Sequence, residues 1–141
     1  MKVKVLDENA VVPKYAKKGD AGMDLTSVEN IVIPARSRVI VHTGIAIALD
    51  EGYEAQIRPR SGLAAKHGLT VLNTPGTIDS GYRGELMVIL FNSSVQNYVV
   101  HIGDRIAQMV IAKYETPTIE VVDDLDETER GAGGLGSTGK N

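Results

Sequence analysis

An all-β sandwich or barrel is the fold class this sequence predicts, and three features predict it. Short apolar, β-branched segments recur at near-regular spacing, turn residues separate them, and only one stretch carries helical signals. At 141 residues the chain is expected to fold around one core.

The predicted strands run, in order, over Val3–Leu6, Ile31–Ile33, Val39–His42, Gly44–Leu49 and Tyr53–Arg58. They continue with Leu69–Leu72, Leu86–Phe91, Tyr98–Ile102, Ile106–Ala112 and Thr118–Val122. Gly19-Asp20, Pro34, Asp50-Glu51-Gly52, Gly68, Asn92-Ser93-Ser94 and Gly103-Asp104 punctuate them. Alternation is clearest in Tyr53–Arg58 and Gly44–Leu49, as a half-buried strand requires. Ser61–His67 reads as a short helix that Ser61 caps and Gly68 ends. Between Asn73 and Met87, two β arms meet at a tight turn through Ser80-Gly81, which reads as a hairpin. Asp79, Tyr82 and Arg83 put a carboxylate, an aromatic ring and a guanidinium at its tip.

From Asp123 the pattern stops. Arg130–Gly139 holds little to bury and many glycines, and reads as a mobile tail. The chain therefore divides into a β domain over 1–122 and an acidic linker with a flexible C-terminal tail over 123–141.

Charge follows the same division. Setting aside Asp123, Asp124, Asp126, Glu127 and Glu129 with Arg130 and Lys140, the first 122 residues carry 13 acidic and 13 basic side chains. A neutral body disfavours sustained binding to nucleic acid, yet a few placed arginines still suit a small anion. Without cysteine there is no disulfide framework or thiolate metal site. Neither a signal-type leader nor a membrane-length apolar run is present, so no membrane partner is expected and the expected setting is cytoplasmic.

Four further clusters join the 73–87 stretch. Ala21-Gly22-Met23-Asp24-Leu25 reads as a turn with a carboxylate. Pro59-Arg60-Ser61-Gly62 combines a strand end with an arginine and a hydroxyl that suit a phosphate oxygen. Gly103–Gln108 leads into a strand whose Gln108 interrupts apolar neighbours and needs a partner or solvent. The glycine-rich tail offers Arg130, Ser137 and Thr138 with backbone amides to an anion. Phosphate-loop and dinucleotide fingerprints are absent, and His42, His67 and His101 lack metal-ligand spacing.

In this order, from residue 21 to 139, the five clusters resemble the trimeric deoxyuridine triphosphatase (dUTPase) family. The resemblance implies a distorted jelly-roll (β-clip) domain assembled as a homotrimer, with active sites shared between subunits. The implied reaction is hydrolysis of dUTP to dUMP and pyrophosphate. Asp79 matches the general base that directs water to the α-phosphorus. A carboxylate is a weak base, so positioning must supply much of the rate. Tyr82 matches the residue under the deoxyribose, where a ribose 2′-hydroxyl would clash. Asn73, Gly76, Thr77 and Met87 match positions that hold the uracil nucleotide, and unpaired polar groups would reject cytosine.

Arg60, Ser61, Gly62 and Gln108 match phosphate contacts, and Asp24 a site-organising carboxylate. Arg130, Leu135, Gly136, Ser137 and Thr138 match the tail that closes over the substrate. That tail usually carries an aromatic residue on the uracil ring, a contact of ~1–3 kcal/mol in nucleic-acid binders; here Leu135 covers the base by apolar contact. The resemblance implies Mg2+ held by phosphate oxygens and waters, with no direct protein ligand. Two rivals share the scaffold. A dCTP deaminase carries a catalytic glutamate where this chain has Ile89, which cannot shuttle protons. A non-catalytic nucleotide-binding trimer could dispense with Asp79, Tyr82 and the tail, all of which are present.

Overall fold

A computed structural model describes residues 1–134 of the chain. Its strands are β1 (Lys2–Val5), β2 (Gly22–Thr26), β3 (Ile31–Ile33), β4 (Arg38–Ala48), β5 (Tyr53–Arg58), β6 (Leu69–Val71), β7 (Gly76–Ile78), β8 (Glu85–Asn92), β9 (Tyr98–Val100) and β10 (Arg105–Lys113). One helix, α1 (Ser61–His67), lies between β5 and β6. Antiparallel ladders join the strands into two four-stranded sheets, β1-β4-β8-β6 and β2-β10-β5-β7, with a β3-β9 ribbon beside them. Consecutive strands alternate between sheets, which gives the jelly-roll-like, all-β architecture expected.

Period-2 patterning explains the core. On β8, Leu86, Val88 and Leu90 point inward and meet Val41, Ile45 and Ile47 of β4 and Leu69 and Val71 of β6. The facing sheet supplies Met23, Leu25, Ala55, Ile57, Ala107 and Met109. A register shift between Arg105 and Ala107 turns both Ile106 and Ala107 inward, which alternation alone would forbid. Fully buried Asn92 ties the ribbon to β8: its amide donates to Ile33 O at 3.1 Å and Gln96 O at 2.8 Å. Its Oδ1 accepts from Ser94 N and Oγ. A buried amide satisfied on both sides costs little to bury.

Five sequence expectations change. Val39–His42 and Gly44–Leu49 form the single strand β4, bent at Gly44, whose φ of +65° breaks the pattern without ending the strand. The Ala21–Leu25 cluster is not a turn: strand β2 runs through it from Gly22, because Met23 and Leu25 alternate into the core. Ser61 is not the cap of α1: Arg60 occupies the N-cap in extended conformation and no side chain caps the helix, while Gly68 ends it at φ 66°. The arms of the 73–87 stretch do not pair with each other. β7 pairs with β5 and β8 with β4, so the turn between them bridges the two sheets. Thr118–Val122 forms no strand, since nothing among the described residues pairs with it; Ile119 and Val121 are 89% and 94% exposed.

Gly44 is the most constrained glycine. A Cβ there would lie 2.7 Å from Asp7 Cβ, 2.8 Å from Val28 Cγ1 and 2.9 Å from Ala10 Cβ, on top of the left-handed backbone. Gly44→Ala is expected to destabilise the fold by about 2–4 kcal/mol, read as a lower denaturation midpoint.

Candidate active site

Three distant segments converge at one end of the β2-β10-β5-β7 sheet. The register sets Asp24 of β2 against Gln108 of β10, and Gln108 against Arg58 of β5. Just past the end of β5, Arg60 turns back so that its Nε meets Asp24 Oδ1 at 3.0 Å. Asp24 Oδ2 meets Arg105 Nη1 at 3.1 Å, and Arg60 Nη1 donates to Arg105 O at 3.0 Å. One carboxylate thus fixes two guanidinium groups, leaving a net positive, half-exposed cluster suited to a polyanion.

Gln108 is half-buried, not solvent-facing: its Nε2 donates to Pro59 O at 2.9 Å. Its Oε1 lies over Gly22, where an added Cβ would sit 2.5 Å away. The obstacle is the end of a flexible side chain, so it yields by moving. Gly22→Ala is expected to raise KM for the anionic substrate about fivefold with stability changed by less than about 1 kcal/mol, as steady-state kinetics and thermal unfolding would show. Ser61 and Gly62 follow Arg60 and are exposed.

The turn between β7 and β8 builds a second constellation. Tyr82 N–H donates to Asp79 O at 3.1 Å, and Arg83 Nη1 donates to Ser80 O at 2.6 Å and Tyr82 O at 2.8 Å. Arg83 therefore braces the turn. Tyr82 Oη donates to Glu85 O at 3.1 Å, and its ring folds over Gly84, where a Cβ would collide with it. Asp79 is exposed, and among the described residues its carboxylate joins no hydrogen bond or ion pair. Thr77 is exposed on β7, and Asn73 Nδ2 lies against buried Gly76, 3.1 Å from where a Cβ would stand. Met87 is 43% exposed and pairs with His42.

These two constellations do not meet within one chain. Ile78, next to Asp79, pairs with Ala55, whereas Gln108 pairs with Arg58, three residues further along β5. That is about 10 Å along the strand, and β7 and β10 flank β5 on opposite sides, which adds a similar distance across the sheet. Among the described residues Arg130 hydrogen-bonds only within its own segment, Nε to Gly133 O at 3.1 Å. Leu135, Gly136, Ser137 and Thr138 lie outside the described residues.

Sequence reasoning missed roles for Arg105 and Glu85. Arg105 sits in the Gly103–Gln108 run, and the signal for it is Asp24, a carboxylate that needs more than one cation to be held. Glu85 is fastened to β4: Oε1 accepts the Gly44 N–H at 2.8 Å and Oε2 meets His42 Nδ1 at 2.9 Å. The hydrogen bond that His42 donates to Glu85 is the main reason the His42 pKa is raised above its ordinary value; burial opposes it, and the charges of Glu85 and Glu29 assist.

The dUTPase family model matches residues 8–139. The chain is 56% identical to a deoxyuridine 5'-triphosphate nucleotidohydrolase of Wolinella succinogenes, over 100% of this chain and 96% of that one. It is 53% identical to the protein of the same name from Clostridioides difficile, over 99% and 97%. Among solved structures, Staphylococcus bacteriophage 80alpha dUTPase with dUPNHPP superposes with a TM-score of 0.92 at 30% identity, covering 99% of this chain and 98% of that one. A mutant dUTPase from phage phi11 of S. aureus, described for the coordination of a structural Mg(II) ion, gives 0.83 at 28% identity over 89% and 98%.

Proposed function

The chain belongs to the dUTPase family and is a dUTP diphosphatase, and from that premise we propose how its residues divide the work. Asp79 accepts a proton from a water that attacks the α-phosphorus of dUTP; the P–O bond to the β-phosphate breaks, and dUMP and pyrophosphate leave. The observation that carries this reading is the exposed Asp79 carboxylate, free among the described residues, on a turn that Arg83 braces beside Tyr82. A base held in place but not already paired can take the proton it is aimed at.

Tyr82, folded on Gly84, forms the wall under the deoxyribose and leaves no room for a 2′-hydroxyl. Asn73, Gly76, Thr77 and Met87 hold the base. Arg60, with Ser61, Gly62 and Gln108, binds the phosphates, and Asp24 keeps Arg60 aimed by sharing its carboxylate with Arg105. The 123–141 segment closes over the nucleotide through Arg130, Leu135, Gly136, Ser137 and Thr138, excluding water other than the nucleophile. Hydrolysis removes dUTP and supplies dUMP for thymidylate synthesis. No helix among the described residues is long and apolar enough to cross a membrane, and the proposed setting is the cytoplasm.

A homotrimer with shared sites is the proposed assembly. It is supported by the distance between the Asp79 turn and the Arg60 cluster within one chain. Exposed apolar surface supports it too: Ile40 on β4 is 53% exposed opposite Ile89 of β8, Met87 is 43% exposed, and Ile119 and Val121 project from the chain's last part.

The residues fit Mg2+ carried by the substrate. Among the described residues no three His, Asp or Glu side chains converge as a metal cage, and Asp24 is already held by two arginines. Phosphate oxygens and waters would hold the ion, which supplies charge neutralisation on the triphosphate. Hydrolysis in 18O-water tests the bond broken. The label is expected in dUMP; label in pyrophosphate would place attack at the β-phosphorus and overturn the role given to Asp79.

A further inference from the structure

Between His42 and Ala46 the β4–β8 ladder opens. His42 pairs with Met87 and Ala46 with Glu85, so Thr43, Gly44 and Ile45 face the single residue Leu86. Such a gap leaves backbone groups in need of partners, and side chains supply them. Thr43 Oγ1 donates to Leu86 O at 2.5 Å, and Glu85 Oε1 accepts from Gly44 N at 2.8 Å. The second carboxylate oxygen of Glu85 meets His42 Nδ1 at 2.9 Å. Gly44 is closely packed, with no room for a Cβ between Asp7, Ala10 and Val28. The backbone carbonyl of Glu85, meanwhile, accepts the Tyr82 hydroxyl at 3.1 Å. A single residue links a closely packed point of β4 to the ring above Gly84.

We propose that Glu85 is a positioning residue: by clasping Gly44 and His42 it fixes the carbonyl that anchors Tyr82, and so sets the preference for dUTP over UTP. The inference rests on the deoxyribose-wall role given to Tyr82. Glu85 itself touches no substrate in this scheme. Excluding one hydroxyl requires a wall held to well under ~1 Å, since displacements of that size cost up to about a hundredfold in rate.

The clasp also has a pH dependence. The groups facing His42 are Glu85 on β8, Glu29 before β3, whose Oε1 accepts the His42 N–H at 2.9 Å, and Asp7 after β1, across the same small cavity. All are acidic. With its pKa raised in the fold, His42 contributes as a cation fully below about pH 6.5, and that contribution is lost as pH rises through the raised value. The Gly44 hydrogen bond remains throughout.

The test measures kcat/KM for dUTP and for UTP on the full chain from about pH 6 to 9, for the native protein and for E85A, E85Q, E85D, H42Q and Y82A. In E85A the dUTP:UTP ratio is expected to fall about tenfold. E85Q, which still accepts from Gly44, is expected to recover most of it, and H42Q to flatten the pH dependence of the ratio. An unchanged ratio in E85A that unfolds like the native protein overturns the inference; where E85A does not fold, E85D, charged but too short to span the gap, decides in the same way. A native ratio in Y82A overturns the role of Tyr82 and the inference with it. Loss in Y82A with no loss in E85A overturns the inference alone.

Discussion

Replacing Asp79 by Asn is expected to lower kcat for dUTP about a thousandfold while dUTP still binds, because the substitution removes the proposed general base and almost nothing else. The side chain is exposed and unpaired among the described residues, so the amide costs the fold no ion pair and no burial. Stability should change by less than about 0.5 kcal/mol. The turn keeps its shape from the Tyr82 N–H to Asp79 O bond and from Arg83, neither of which involves the Asp79 carboxylate. Pyrophosphate release and equilibrium dUTP binding on the same preparation separate the outcomes. Turnover within a few fold of the native chain would assign the base elsewhere. Tight binding with no turnover even in the native chain would describe a binding trimer.

Asp24→Ala carries the second large effect. The carboxylate accepts from Arg60 at 3.0 Å and Arg105 at 3.1 Å; without it, two guanidinium groups are left side by side with nothing between them. They repel, and Arg60 keeps only its hydrogen bond to Arg105 O of the two contacts that turn it back over the sheet. A drop of about a hundredfold in kcat/KM for dUTP is expected, with KM carrying a large share because the proposed phosphate contacts are lost in ground and transition state alike. The stability cost should stay near 1 kcal/mol, since both pairs are partly solvated and screened. Asp24→Asn, which keeps one acceptor, should recover part of the loss. Kinetics within twofold of native in Asp24→Ala would show that Arg60 needs no organiser.

What the sequence revealed, and what it did not, follows from the range of the interactions. Tyr53–Arg58 and Ser61–His67 were legible to the residue, because alternation and a left-handed glycine at Gly68 are local signals. In sequence β2 reads as a turn because its five residues bury only Met23, Leu25 and Thr26, too short a pattern to stand out. Thr118–Val122 has strand composition, but a strand also needs an edge to pair with, and that information is not in the segment itself. The same limit applies to the 73–87 stretch. Its turn residues announce a reversal, yet only long-range pairing sends β7 to β5 and β8 to β4. Asp24, Arg60 and Gln108 stand out by residue type and take their roles from the family resemblance, whereas their convergence depends on the β2-β10-β5 register, which no local pattern encodes. Arg105 was overlooked because its role exists only once Asp24 lies beside it.

Pyrophosphate release from dUTP with Mg2+ present, run alongside dCTP, dTTP and UTP, tests the central claim most directly. The residues assembled at Asp79, Tyr82 and Arg60 predict rapid release from dUTP and almost none from the other three. Binding of dUTP without cleavage, or consumption of dCTP with ammonia released, would contradict it.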